Sequence, residues 1–348
     1  MGGALTRAYV ARHVATRMLR ELMSRLTDSN GSILITGALG FVGVHLCQAL
    51  AAAGVGPGRI VGVALDDGPL PVPGMHLLKL NIADEAGVSE VIKTYQPDAI
   101  VHLAAIALPS EARENVRAAW RVNFDGTLNL AEAVMAHAPS ARFIFAGSAE
   151  SYGDNAHSKS GPVIEDTPLR PVTIYGATKA AAEIALLQMA VDGLDAVCFR
   201  AFNHTGPGQT ANYVVSAFAH QVAQIEAGLQ ARKMSVGNLQ AARDFLDVRD
   251  VVNVYLRALA HPTFVGGPRV MNIASGGVWK IGDILKRLTD AVEAEIEVVV
   301  DPARLRQNDV AMVCGDPTRI QETLGWRPVY SFEQTMEDTL QYWREHLS

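Results

Sequence analysis

"SILITGALGFVGVHLCQALAAAG", residues Ser32–Gly54, joins a short β-branched run to a longer Ala- and Leu-rich run through three glycines. Gly37, Gly40 and Gly43 stand in the pattern Gly-x-x-Gly-x-x-Gly. The apolar run before them reads as a buried strand, and the spacing after them predicts a helix ending at Gly54. A strand that turns straight into a helix needs residues without a Cβ at the turn, and so does close approach of backbone to a pyrophosphate. The new helix points its free N–H groups and the positive end of its dipole at that same spot. Glycines in this strand–turn–helix context predict a dinucleotide site.

Working outward, the alternation continues. "RIVGVAL", "MHLLKLNI", "DAIVHLAA", "RFIFAGSA" and "DAVCFRAF" read as further strands, with helical stretches between most of them. Repeated strand–helix–strand units imply a parallel sheet covered on both faces. The fold expected is α/β: a doubly wound parallel sheet with a smaller C-terminal α/β substrate lobe. The expected division is an N-terminal helical extension over 1–31, a dinucleotide-binding domain with the catalytic residues over 32–202, and a mainly substrate-binding lobe over 203–348. The first segment carries five Arg and no Lys, with Val10, Val14, Met18 and Leu22 at helical spacing. It reads as an amphipathic extension or as an organelle-type targeting helix, although Glu21 and Asp28 interrupt the second pattern.

The totals narrow the class. The chain has 348 residues, 49% of them hydrophobic, and a net charge of −6. That balance argues against nucleic acid or an anionic membrane surface as partner. No apolar run has the length of a membrane span. Cys47, Cys198 and Cys314 form no Cys-x-x-Cys pair, so neither a disulfide framework nor a zinc site is expected. Reduced thiols suit a cytoplasmic protein.

The second strand runs into "VALDDG", Val63–Gly68. A carboxylate at that strand end can accept from adenosine ribose hydroxyls and repel a 2′-phosphate. Asp66 is the residue expected there, with Asp67 beside it. No Arg lies between Val61 and Gly74 to pair with a 2′-phosphate. NAD(H) is therefore favoured, with NADP(H) as the alternative.

Further along, "PVTIYGATKAAAE" (Pro171–Glu183) places Tyr175 and Lys179 on one helix face. A neighbouring ammonium favours a phenolate, so Lys179 is expected to lower the Tyr175 pKa and make it a general acid or base. "GSAESYG", Gly147–Gly153, ends a strand and offers Ser148 to share the substrate oxygen that Tyr175 protonates.

The set "TGALGFVG", "HLAA" (His102–Ala105), "NFDGT" (Asn123–Thr127), "GSAESYG" and "YGATK" resembles the extended short-chain dehydrogenase/reductases that act on nucleotide sugars. The resemblance runs from Ser32 to nearly the C-terminus. It implies a Rossmann-type fold, Tyr175 as acid/base, Lys179 holding the ribose and Ser148 polarising the substrate carbonyl. It also implies a dinucleotide lined by Gly37, Gly40, Phe41, Val42, Gly43, Asp66, Asn81, Ile82, Leu103, Ala104, Ala105, Asn123, Tyr175, Lys179 and Phe202. Asn123 stands where the family supports its active-site helix. The helices around "RAAWRVNFDGTLNLAEAVMAHA" and Tyr175 are those that form the family's homodimer bundle.

"RAFNHTGPGQ" (Arg200–Gln209) and "VGNLQAARDFLDVRDVV" (Val236–Val252) are similar to the branch that uses GDP-mannose derivatives. The activity implied is reduction of the C4 keto group of a GDP-4-keto-6-deoxy sugar. Asn203, Arg243 and Arg306 are the expected diphosphate partners, since guanidinium pairs bidentately with phosphate. Asp309 is the expected acceptor for a ribose hydroxyl. Several positions depart from the family pattern. Ile106-Ala107-Leu108 replaces polar residues facing the sugar, which leaves a bulkier sugar such as a heptose open. Asn81 stands for an Asp, Ile174 and Gln307 for Pro. Glu150 is where dehydratases of this branch carry an auxiliary acid/base, while Ala149 replaces their polar residue. Dehydratase and epimerase activities therefore stay open, and so does a non-catalytic dinucleotide sensor.

Overall fold

The computed structural model describes residue 27 and residues 31–156, 161–292, 295–304 and 311–347. The extension expected over 1–31 falls almost wholly outside these residues, as do Arg306, Gln307 and Asp309.

In chain order the first half consists of β1 (Ile33–Thr36), α1 (Phe41–Ala52), β2 (Ile60–Ala64), β3 (His76–Lys79), α2 (Glu85–Tyr95) and β4 (Ala99–His102). Next come α3 (Pro109–Glu114), α4 (Val116–Trp120), a π-helical turn (Arg121–Asp125), α5 (Gly126–His137), β5 (Arg142–Ser148), α6 (Ile174–Val191) and β6 (Asp195–Ala201). The second half adds β7 (Asn203–Thr205), α7 (Val214–Glu226), β8 (Lys233–Val236), β9 (Ala242–Arg243), β10 (Phe245–Asp247), α8 (Val248–Ala260) and β11 (Val270–Ile273). It closes with β12 (Trp279–Lys280), α9 (Ile281–Asp290), β13 (Glu297–Val300), β14 (Met312–Val313), α10 (Thr318–Leu324) and α11 (Phe332–Glu345).

Seven parallel strands form the main sheet in the order β11-β6-β5-β4-β1-β2-β3. All six strands expected from the sequence are present. The seventh, β11, comes from the second half and pairs with β6 in the register Val270↔Cys198. Alternation within the buried strands sorts residues onto two faces. Ile33 and Ile35 of β1, Ile144 of β5 and Phe199 of β6 pack with α1 and α8 residues such as Leu46, Val251 and Tyr255. Leu34, Phe143, Phe145 and Cys198 pack on the other face with Ile92 of α2, Leu130 of α5 and Leu186 of α6. Each large apolar side chain buried this way contributes roughly 1.5–3 kcal/mol.

A third core joins α7, α9 and α11 through Phe218, Val222, Ile284, Leu288, Met336 and Leu340. Three small sheets, β13–β8, β10–β7 and β12–β9–β14, also form within the second half among the described residues. Among the described residues no helix is long and apolar enough to cross a membrane.

Candidate active site

Chain order reverses between β1 and β4, so a crevice opens at the carboxyl ends of these neighbours. Gly37 follows β1 with φ +72, a left-handed value that favours glycine. A Cβ there would stand 2.9 Å from the Ala104 backbone N, and one on Gly43 would stand 2.2 Å from the Gly37 carbonyl oxygen. The turn is pinned by Gly37 N–H donating to the Val63 carbonyl at 2.8 Å. Gly40 caps α1 without any side chain on its first N–H groups. Phe41 and Val42 open the helix. This cradle of backbone at a helix start, which side chains would fill, fits a dinucleotide pyrophosphate.

Asp66 and Asp67 are exposed beyond the end of β2, and Asp67 pairs with Lys79 of β3 at 3.1 Å. Asn81 is exposed after β3 and accepts from Ala83 N–H, while Ile82 is buried. Leu103, Ala104 and Ala105 follow β4 and are part-buried. Ala104 N–H donates to the Thr36 hydroxyl at 3.2 Å, which ties the β4 end to the glycine turn.

Below that contact His102 is fully buried, with Nδ1 2.7 Å from Thr36 Oγ1 and Nε2 2.9 Å from Thr127 Oγ1. Burial and the nearby Lys179 charge hold its pKa well below the ordinary histidine value, so it is a neutral strut. Thr127 in turn donates to the Asn123 carbonyl at 2.7 Å. The "HLAA" and "NFDGT" segments are thus one hydrogen-bonded unit. His102 and Thr127 stand at the ends of the quoted motifs, but sequence alone assigned no role to them or to Thr36; His102 inside an otherwise apolar strand end was the available signal.

Asn123 lies in the π-helical turn, a local widening that is frequent at functional sites. It is 1% exposed. Its Oδ1 accepts from Ile106 N–H at 2.8 Å, and its Nδ2 donates to the Ile106 carbonyl at 3.1 Å and to Thr178 Oγ1 at 3.0 Å. Thr178 donates to the Tyr175 carbonyl at 2.8 Å. The side chain therefore clamps the loop at Ile106 to the Tyr175 helix.

Thr173 caps α6, accepting from Gly176 N–H and donating to Glu150 Oε2 at 2.6 Å. One turn into the helix, Lys179 is 2% exposed. Its Nζ donates to the Ala146 carbonyl at 2.8 Å and sits 4.7 Å from the Phe145 ring centroid and 6.0 Å from that of Tyr175. Ser148, at the end of β5, accepts from Glu150 N–H at 3.1 Å, and its hydroxyl is near enough to the Tyr175 phenol to favour its ionised form. Ser148, Glu150, Tyr175 and Lys179 are thus gathered at one place.

The electrostatics correct one expectation. Lys179 was expected to lower the Tyr175 pKa. Instead burial, then the Glu150 charge, push the phenol up, and the nearby Ser148 hydroxyl offsets only part of this. Lys179 is itself lowered to about 7 by burial among Phe145 and sheet backbone. Near neutral pH its ammonium form is therefore only partly populated, which limits its support for a phenolate. At neutral pH Tyr175 holds its proton and can give it.

A second network braces the site from beneath. Arg200 makes a two-point pair with Glu183 of α6, at 2.9 and 2.6 Å, and donates to the Glu165 carbonyl at 2.8 Å. The Arg200 guanidinium stacks 4.8 Å over Tyr152, whose hydroxyl donates to Asn272 Oδ1 at 2.7 Å. Phe202 is buried in the cluster with Tyr152 and Val163.

Asn203, the first residue of β7, is exposed and its Nδ2 donates to the Asp244 carbonyl at 3.2 Å. Arg243 sits on β9, which pairs with β12 and β14. Buried Asp244 staples these segments, accepting from Ser275 N–H and Oγ, Gly276 N–H and Gly315 N–H.

Comparison with known proteins agrees with this fold. The family model for GDP-mannose 4,6 dehydratase covers residues 34–339. GDP-6-deoxy-D-mannose reductase of Pseudomonas aeruginosa is 35% identical over 90% of this chain and 98% of that protein. UDP-glucose 4-epimerase of Rhizobium meliloti is 28% identical over 91% of this chain and 97% of that protein. Among solved structures, RMD from Pseudomonas aeruginosa complexed with NADPH superposes with a TM-score of 0.76 at 31% identity, over 90% of this chain and 99% of that one. UDP-glucose 4-epimerase from Thermotoga maritima with UDP-glucose gives 0.81 at 27% identity, over 91% and 100%.

Proposed function

The chain belongs to the GDP-mannose 4,6-dehydratase family of extended short-chain dehydrogenase/reductases, and on that premise we propose that it reduces the C4 keto group of GDP-4-keto-6-deoxy-D-mannose to give GDP-D-rhamnose. The observation that carries this reading is Ser148 and a Tyr175 phenol held in its protonated form beside buried Lys179, in a chain 35% identical to GDP-6-deoxy-D-mannose reductase. When bound, the reduced nicotinamide supplies the hydride. Ser148 donates to the keto oxygen, and Tyr175 delivers its proton to that oxygen as charge develops. Lys179, one turn along, holds the ribose and faces the phenolate that remains. Asn123 fixes the helix that carries both. NAD(H) is the favoured cofactor on the strength of Asp66, with NADP(H) the alternative. Asn203 and Arg243 serve the diphosphate; Arg306 and Asp309 are assigned the same side by resemblance.

Glu150 supports a second reading, dehydration of GDP-mannose, because its charge reaches Tyr175. Its bond to Thr173 favours the first: one carboxylate oxygen is committed to the start of α6. Exposed Ile184 and Val191 on α6, with Val116 and Trp120 on α4, give the proposed homodimer an apolar contact face. The free Cys47, Cys198 and Cys314 suit the cytoplasm. The test follows nicotinamide absorbance with the keto sugar as substrate. Oxidation of the cofactor that disappears in Tyr175→Phe supports the reading; no oxidation with either NADH or NADPH overturns it.

A further inference from the structure

Asn272 lies on β11, in the second half of the chain, and is fully buried. Its Nδ2 donates to the Val163 carbonyl at 2.8 Å, which fixes the orientation of the amide. Oδ1 is then left to accept, and it does so from the Tyr152 hydroxyl at 2.7 Å. The Asn272 backbone N–H donates to Glu165 Oε1 at 2.8 Å. Tyr152 is equally buried, and burial pushes its phenol up to about 12, so it keeps the proton this bond needs. The two segments held in this way lead to Ser148 and to Tyr175. Tyr152 closes the 3-10 turn Ala149–Ser151 that follows Ser148. Val163 and Glu165 begin a strap, residues 163–173, whose last residue is Thr173, the cap of α6 two positions before Tyr175. Turn and strap also touch each other. Arg170 N–H donates to the Ser151 carbonyl at 3.2 Å, and Thr173 donates to Glu150 Oε2. A Cβ on Gly176 would stand 2.5 Å from the Glu150 carbonyl oxygen, so α6 begins directly against the turn.

We propose that Asn272 is a positioning residue for Ser148 and Tyr175: through Tyr152 it holds the turn that follows Ser148, and through Val163 and Glu165 it holds the strap that leads to Tyr175. The inference rests on the reduction proposed above, in which both hydroxyls meet one keto oxygen. Ser148 Oγ already accepts from Glu150 N–H, so the conformation of the turn decides where its own O–H points. A misplacement of about 1 Å between reacting groups can cost about a hundredfold in rate. The Tyr152–Asn272 bond spans 120 residues of sequence between two buried groups, and breaking it from one side leaves the other without compensation from water. The strap has a second anchor, because Asp316 N–H also donates to the Val163 carbonyl, at 2.9 Å. Loss of the phenol hydroxyl therefore loosens the turn, and loss of the amide loosens the turn and, to a smaller degree, the strap.

The test compares the wild-type chain with Tyr152→Phe, Asn272→Leu and Thr335→Val. Thr335, on α11 and outside both turn and strap, is buried and donates to Asp247 Oδ2 at 2.8 Å, so its variant reports the loss of a buried hydrogen bond elsewhere. Hydrogen–deuterium exchange is read by mass on peptides covering 148–153 and 163–173, and kcat and KM are measured with the keto sugar. Tyr152→Phe should speed exchange over 148–153 about tenfold or more and leave 163–173 near wild type. Asn272→Leu should speed both. Tyr152→Phe should lower kcat about tenfold or more with a smaller change in KM, and Asn272→Leu at least as much. Thr335→Val should lower Tm yet keep kcat and exchange in both segments. The inference is overturned if folded Tyr152→Phe keeps wild-type exchange over 148–153, if it keeps wild-type kcat, or if kcat simply follows Tm across the three variants. Should Asn272→Leu fail to fold, Tyr152→Phe decides. Should the wild type leave the keto sugar unreduced, the proposed reduction falls, and the exchange pattern by itself supports or overturns the tether.

Discussion

The side-chain amide of Asn123 donates to the hydroxyl of Thr178 at 3.0 Å, and so joins a π-helical turn to the helix that carries Tyr175 and Lys179. Replacing Asn123 by Ala leaves Ile106 N–H and the Ile106 carbonyl without this partner, while the Thr178 hydroxyl keeps its bond to the Tyr175 carbonyl. Each buried unsatisfied group costs about 1–3 kcal/mol. Asn123→Ala should lower Tm and reduce kcat about tenfold or more, with a smaller change in cofactor affinity. Calorimetry together with steady-state kinetics checks this; an unchanged kcat would deny the clamp a positioning role.

Gly43 faces the Gly37 carbonyl so closely that a Cβ would stand 2.2 Å from it. Gly43→Ala must push α1 away from the turn, and overpacking of this kind costs about 1–3 kcal/mol. Dinucleotide binding should weaken by at least about tenfold while the secondary lobe stays folded. Cofactor titration and thermal unfolding measure both.

Lys179 titrates near 7 in the folded protein, lowered from 10.5 by burial. The unfolded chain therefore binds more protons than the folded one between these values, so stability rises with pH across that window. The gain is at most about 1.4 kcal/mol per pH unit and levels off below the folded value. Lys179→Met should remove this slope. Denaturant unfolding of both proteins from neutral to mildly alkaline pH decides it: parallel curves would contradict the assignment.

Arg200 and Glu183 are almost fully buried and pair at 2.6 Å. Glu183→Leu alone leaves an uncompensated buried guanidinium and should cost about 3–5 kcal/mol. Glu183→Leu with Arg200→Met should recover much of it. Equal losses in the single and double variants would show that packing, not charge, sets the cost.

The main sheet was legible because buried parallel strands are short continuous β-branched runs, and Gly37, Gly40 and Gly43 announce the first crossover. The seventh strand was not legible: "VMNI" is four residues long and finds β6 only across some seventy intervening residues. The Ser148, Tyr175 and Lys179 triplet could be read from motifs, and the structure brings these residues together. Their supports could not, since Thr36–His102–Thr127 and Arg200–Glu183 join residues distant in sequence whose types are unremarkable alone. "RAAWRVNFDGT" looks like plain helix, so the π turn that turns Asn123 inward carries no local signature. The sign of the Tyr175 shift also escaped a one-dimensional reading: spacing of four gives proximity to Lys179 but says nothing of how deeply the ammonium is buried.

The most direct test of the central claim supplies the enzyme with GDP-4-keto-6-deoxy-D-mannose and NADH or NADPH deuterated at the transferable position, and locates the label by mass and NMR. Reduction by the Ser148–Tyr175 pair predicts deuterium at C4 of the sugar, with no loss of water from GDP-mannose in a parallel incubation. Water lost from GDP-mannose without added reductant would contradict the account and make Glu150 a catalytic acid/base.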